Sequence, residues 1–178
     1  MWSVNSVTKG SVMGKKTDKG ASLTKKANAF KDAVEGTREI SAGYNEGLQA
    51  IKKSDRGRYS AKNNGLLEGS VDLDGCTKDL YPQASRWDYV IGYNGKIHFS
   101  EVHPASTGNV ADIKAKVQWL EQWLNDKAPL LKTLPMTTPK YSWVCTDAGV
   151  HINYPKTSRQ YRELAEKGLW PKKQVVLE

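Results

Sequence analysis

Cysteine and histidine are scarce in this 178-residue chain, at two and three residues, and no stretch approaches the ~18 consecutive apolar residues of a membrane-spanning helix. Cys76 and Cys145 are too few for a disulfide framework and lie in no CxxC or His-flanked metal spacing, so both read as packed thiols. His98 and His151 likewise have no metal-ligand spacing. The opening stretch, MWSVNSVTKGSVMGKK, lacks an apolar core of signal-peptide length before its lysines. The expected setting is therefore cytoplasmic, with no membrane partner. No internal repeat is present, and nothing marks a second domain. Hydrophobic residues make up 38%, which excludes disorder over the whole length and suits a single globular domain able to bury about 70% of its unfolded surface.

Acidic residues are outnumbered, 19 against 27 Lys plus Arg, for a net charge of +8. The excess is uneven: residues 1–64 carry 13 basic and 6 acidic groups, residues 65–110 carry 3 and 6, and residues 111–178 carry 11 and 7, for nets of +7, −3 and +4. An acidic middle between basic flanks suits a metal site inside a phosphate-binding groove, where carboxylates hold the cation and Lys and Arg neutralise a polyanion. Solvated surface lysines would give the same count.

Residues 1–21, rich in Gly, Ser, Thr and Lys without periodicity, read as a flexible basic arm, and 22–178 as one domain. From Ser22 to Lys53 the stripe Phe30, Val34, Thr37, Ser41, Tyr44, Leu48 and Ile51 predicts an amphipathic helix, weakened by Gly36, Gly43 and Gly47. Residues 55–65 read as a polar loop, Leu66 to Leu73 as a strand, and the chain through Pro82 to Arg86 as a loop. Trp87–Tyr93 and Lys96–His103 are strand-like runs joined by Asn94-Gly95, the dipeptide of a type I′ hairpin. Thr107 or Asn109 can cap a helix carrying Val110, Ile113, Val117, Leu120 and Leu124, which ends before Pro129. Tyr141–Thr146 reads as a strand, with Val150–Ile152 its short partner across a turn at residues 147–149. Ser158–Lys167 reads as a helix stopped at Gly168, and Val175–Leu177 as a last strand.

A two-residue turn makes facing residues sum to 189, which sets Asp88 opposite Glu101. The same face carries Val90, Phe99 and, two residues on, His103, whereas Trp87, Tyr89 and Ile91 point the other way. Two carboxylates directly opposite in a sheet repel. A divalent cation such as Mg²⁺ can compensate them, Arg86 can form a plain ion pair, or a one-residue bulge can separate them. Asp74 can reach the same end of the sheet, although it and Asp72 also suit a solvated turn. Trp119 and Trp123 read as packing or an interaction surface rather than as a stacking platform for bases.

These residues resemble the core of the PD-(D/E)XK nuclease superfamily, whose order is helix, three strands, helix, strand. The matching stretches are Asp88 in RWDYVIGY and Glu101 in FSEVHPA, twelve residues apart, over roughly residues 22–152. The segment also resembles bacterial proteins sharing the RWDY and EVHPA wording, which imply no function. The superfamily resemblance implies a restriction-endonuclease-like αβββαβ core, in which Asp88 and Glu101 bind Mg²⁺ or Mn²⁺ and a lysine orients or activates the attacking water. Here His103 stands at the lysine position, and Trp87 precedes Asp88 where the family has proline. Some members carry the lysine on the following helix. Lys116, about 70° from the centre of the apolar stripe, and Lys114, about 90° to its other side, are the candidates, and the spacing does not choose between them.

The expectation is an α/β single domain with a mixed sheet and helices on its faces, acting as a metal-dependent phosphodiesterase, an endonuclease, on DNA or RNA. Asp88, Glu101 and Asp74 are the expected metal ligands, His103 and Lys116 the expected catalytic groups, and Lys52, Lys53, Arg56, Arg58 and Arg86 the expected contacts to the nucleic-acid backbone. The alternatives are a catalytically silent nuclease-like fold that binds nucleic acid, and a protein-interaction module with a specific protein partner.

Overall fold

A computed structural model describes residues 27–178; the basic arm read over 1–21 lies outside the described residues. The elements run α1 (Ala29–Glu35), α2 (Lys53–Arg56), β1 (Tyr59–Ala61), β2 (Leu67–Asp72), α3 (Leu73–Thr77), β3 (Tyr89–Tyr93) and β4 (Lys96–Ser106). They continue with α4 (Val110–Asp126), α5 (Pro129–Thr133), β5 (Met136–His151), α6 (Arg159–Glu166) and β6 (Val175–Leu177). A four-stranded mixed sheet has the order β2-β3-β4-β5, antiparallel except for the parallel β4–β5 pair, and β1 and β6 form a separate parallel pair.

The hairpin folds as its turn chemistry demands. Asn94 and Gly95 take φ of 51° and 74°, the two left-handed residues of a type I′ turn. The ladder then pairs Tyr93 with Lys96 and Tyr89 with Ser100 without a break. Side chains alternate across it into two cores. Phe30 and Val34 of α1, Val90 and Phe99 of the hairpin, and Ile113 and Leu120 of α4 share one face, while Tyr89, Ile91 and Tyr93 join Ile51, Tyr59, Val175 and Leu177 on the other. The helix on the first face and the β1–β6 pair on the second cover the sheet on both sides, which is why its central strands carry so few polar residues.

The expected helix over residues 22–53 is a correction. Among the described residues it stops at Glu35 with Gly36 as its C-cap, a 3₁₀ turn follows at Arg38–Ile40, and the chain then winds without regular structure to Ile51. Three glycines inside one stripe each cost ~1 kcal/mol of helix propensity. The apolar positions Phe30, Val34, Ile40 and Ile51 are buried all the same, but as separate pieces of chain.

Three further readings change. The polar loop at 55–65 contains β1, which finds its partner 116 residues on in β6, Tyr59 opposite Val175. Val150 is no hairpin partner of Tyr141–Thr146: β5 runs on through it, Ala105 pairing with Val150 after His103 pairs with Cys145, so the extra residues between form a bulge in one strand. Trp87 does not share a face with Tyr89 and Ile91. It lies before the first ladder residue, outside the pleat, and is buried against Tyr141 in the core that holds Val90 and Phe99. Asn109, one of the two expected caps, is the N-cap of α4, and the 3₁₀ turn Thr107–Asn109 before it carries a capping box at Ser106, whose backbone and hydroxyl both donate to Asn109 Oδ1 at 3.1 and 2.6 Å. None of the helices is long and apolar enough to cross a membrane among the described residues.

Candidate active site

Asp88 stands one residue before β3, directly across from Glu101 in β4, as the register requires. At this rung the two strands exchange side chains for backbone. The Asp88 N–H donates to Glu101 Oε2 at 3.0 Å, and the Val102 N–H donates to Asp88 Oδ2 at 3.0 Å. The Asp88 carbonyl accepts from the Leu73 N–H at 2.7 Å and, more weakly, from the Asp74 N–H at 3.4 Å, which ties the start of α3 to the same point. Each carboxylate is thus fixed by one backbone amide and has one oxygen left.

Those two remaining oxygens face one ammonium. Lys116 Nζ, on the second turn of α4, lies 2.5 Å from Glu101 Oε1 and 3.8 Å from Asp88 Oδ1. It also donates to the Arg86 carbonyl at 2.8 Å. Of the three ways of compensating the like charges, neither the bulge nor Arg86 is used: the ladder is unbroken, and Arg86 Nε pairs with Asp74 Oδ1 at 2.8 Å. The choice between the two flanking lysines is settled as well, because Lys114 pairs with Glu163 on α6.

Burial dominates the electrostatics. Glu101 is fully buried, and its pKa is pushed up to about 8, first by desolvation and then by the charge of Asp88, with Lys116 pulling the other way. Asp88 is also raised, again by desolvation, against the opposing pull of Lys116, the Val102 amide and Lys52. Removing a carboxylate from water costs more than one partly shared ammonium returns.

Other expected site residues are distributed differently. Asp74 is at the rim of the cluster, where its charge raises the pKa of Asp88, but its carboxylate is held by Arg86. His103 is half-buried, and its Nδ1 is 3.1 Å from the Pro104 carbonyl rather than bonded to a carboxylate. Arg86 is part of the fold: its guanidinium also donates to the carbonyls of Tyr81 and Ala84 at 2.5 and 3.3 Å. Arg56 donates to the Gln49 and Ile51 carbonyls, and Arg58 reaches the Cys145 carbonyl at 3.2 Å and Asp55 at 3.9 Å. Only Lys52 and Lys53 of the five expected backbone contacts are exposed, and Lys52 is near enough to Asp88 to favour its ionised form.

The sequence reading missed the anchoring role of Arg86, whose carbonyl holds Lys116, and a buried polar chain on the opposite face of the sheet. There His98 lies between Thr137 Oγ1 at 2.7 Å and Ser142 Oγ at 2.8 Å; Ser142 donates to Ser100, and Ser100 meets the Tyr59 hydroxyl at 2.8 Å. Burial, with a lesser push from Lys172, lowers the His98 pKa to about 4, so its imidazole is neutral. The alternation of His98 and Ser100 on β4 is its sequence signal.

Among the described residues, no group of three or more His, Cys, Asp or Glu side chains is placed to hold a metal ion. Two carboxylates are nonetheless a sufficient protein share for Mg²⁺ or Mn²⁺, hard cations that take one or two carboxylates and complete their shell with water and substrate oxygens. The donor chemistry of Asp88 and Glu101 fits such an ion. Comparison of the chain with protein-family models, with curated proteins and with solved structures returns no match.

Proposed function

We propose that this protein is a metal-dependent phosphodiesterase that cleaves nucleic acid, with its centre at Asp88, Glu101 and Lys116. The observation that carries the reading is the convergence of these three side chains, from the start of β3, the middle of β4 and α4, with one oxygen of each carboxylate fixed by a backbone amide and the other turned toward the ammonium. Supporting it are the order α1-β2-β3-β4-α4-β5 that remains when the short elements α2, β1, α3 and α5 are set aside, which resembles a restriction-endonuclease-like core, and the resemblance of the RWDY and EVHPA stretches to that superfamily.

In this reading Asp88 and Glu101 hold Mg²⁺ or Mn²⁺, which supplies Lewis-acid polarisation of the phosphate and a more acidic water. Lys116 supplies the fixed positive charge that the His103 position lacks. Its ammonium donates to a non-bridging phosphoryl oxygen, and the Arg86 carbonyl keeps it aimed as charge develops in the transition state. Asp74 positions Lys116 indirectly, by fixing Arg86. Lys52 and Lys53 hold the substrate backbone beside the cluster.

A second reading is favoured by one observation: Lys116 already faces both carboxylates, 2.5 Å from Glu101 Oε1 and 3.8 Å from Asp88 Oδ1, so the cluster carries a cation of its own without any metal. That suits a catalytically silent relative that binds nucleic acid. The deciding experiment is cleavage of labelled single- and double-stranded DNA and RNA with Mg²⁺, Mn²⁺ or EDTA, beside Asp88→Ala and Glu101→Ala proteins shown to be folded by circular dichroism. We expect metal-dependent cutting that both substitutions abolish. Cutting retained by purified Asp88→Ala sinks the assignment, and binding without cutting moves it to the silent relative.

A further inference from the structure

Lys116, Trp119 and Trp123 are three and four residues apart on α4 and so share one edge of the helix. That edge faces the segment ending at Arg86. Tyr81 meets the Trp119 ring edge-on, with centroids 5.9 Å apart and planes at 72°, and the Trp119 and Trp123 indoles stack at 5.9 Å and 15°. Glu39 locks the set: its carboxylate accepts from the Tyr81 hydroxyl and from Trp123 Nε1, each at 2.8 Å. Trp123 is buried, but Trp119 is only partly covered, and beside it opens a cleft of about 290 Å³. Gln122, Asp126 and Lys127 are on its rim.

We propose that this cleft is a nucleobase subsite, taking the base of an unpaired nucleotide whose phosphate is at Lys116. The inference rests on the phosphodiesterase reading and adds a substrate class to it: single strands or frayed ends rather than intact duplex. From Lys116 to Trp119 the helix advances about 4.5 Å, less than the span of one nucleotide, so a strand held at the carboxylate cluster brings a neighbouring base to the indole. The rings are already fixed by Glu39 and by one another, so stacking on them orders nothing new in the protein. Gln122 offers an amide donor and acceptor to a base edge. Lys127, which lines the cleft, matches the phosphate on the far side of that base from the one at Lys116. A base inside a duplex is stacked on both faces and does not reach the indole without being extruded.

The test uses the full chain in EDTA, where no cutting occurs. A 12-nucleotide single strand containing 2-aminopurine, and the duplex of the same sequence, are titrated with wild-type protein, Trp119→Leu and Trp119→Phe. Anisotropy gives affinity and 2-aminopurine fluorescence reports stacking. Leucine keeps the apolar packing without a ring, and a thermal melt checks that each variant is folded. We expect Trp119→Leu to weaken single-strand binding 5- to 100-fold, to abolish the fluorescence quenching and to leave the salt dependence unchanged, with Trp119→Phe within about threefold of wild type. Equal loss for single strand and duplex, a phenylalanine variant as weak as leucine, or unchanged binding and quenching in Trp119→Leu each overturns the subsite while the phosphodiesterase reading stands. Should the wild type neither bind these strands nor cut them with Mg²⁺ or Mn²⁺, both fall, and the exposed Leu80 beside Tyr81 redirects attention to a protein partner.

Discussion

Glu101 is the residue whose burial leaves the clearest thermodynamic signature. An unfolded glutamate titrates near 4.3, whereas in the fold its pKa is about 8. Between those values the folded protein keeps a proton that the unfolded chain has released. Stability therefore stands at its full value below about pH 4.5 and is lost as pH rises through 8. Full loss is on the order of 2–4 kcal/mol for a shift of this size, after allowance for relaxation around the pair. Glu101→Gln removes the titration. Its amide cannot accept both from the Asp88 N–H and from Lys116, so the variant is expected to be less stable than wild type at pH 5.5. Between pH 5.5 and 8.5, however, it should lose clearly less stability. Urea unfolding at the two pH values measures the difference; equal pH slopes in the two proteins would show that Glu101 is ionised throughout.

At the scale of elements, α1 lies on the hairpin through one close approach. A Cβ built on Gly92 of β3 falls 2.5 Å from Phe30 Cγ, and Phe30 is fully buried. Gly92→Ala therefore drives a methyl into a buried ring, at a cost of about 1–3 kcal/mol. A lower melting temperature with the carboxylate cluster unaffected is the expected result, and an unchanged one would mean that α1 shifts freely. The same elements show why some of the fold was legible and some was not. The hairpin register and the span of α4 followed from local rules, Asn94-Gly95 and the spacing from Val110 to Leu124, and these alone aligned Asp88 with Glu101. β1 was hidden because a three-residue strand carries no periodicity, and its partner is 116 residues away. The long helix was overread because the residue pattern keeps a spacing of three and four past Gly36, which ends the helical backbone, while Ser41 on that stripe is exposed. Lys116 was legible as a flank of the α4 stripe, but its selection over Lys114 depended on Arg86, whose carbonyl reaches it only after α3 and the following loop have folded back.

Across the whole molecule, charge and contact divide the basic residues into two kinds. Residues 1–26 hold six Lys and one Asp, +5 of the total of +8, so the described region carries only +3. Within it, the guanidinium groups of Arg56, Arg58 and Arg86 are engaged with backbone carbonyls. Lys52 and Lys53 are exposed, Lys52 near enough to Asp88 to act on its charge, and neither has such a duty. A lysine that touches phosphate releases a counterion, which steepens the fall of log affinity with log salt by about 0.7–0.9 per contact. The double variant Lys52→Ala/Lys53→Ala should accordingly flatten that slope by about 1.4–1.8 and leave the melting temperature unchanged. Arg58→Ala should do the reverse. It strips the Cys145 carbonyl of a charged donor, costs about 1–3 kcal/mol of stability and changes the salt slope little. Nucleic-acid affinity measured between 50 and 200 mM salt, alongside thermal melts, separates the two behaviours. A slope unmoved by losing both lysines would place the backbone contacts elsewhere on the chain, whereas a flattened slope together with an intact fold ties the strand to the face on which Asp88, Glu101 and Lys116 converge.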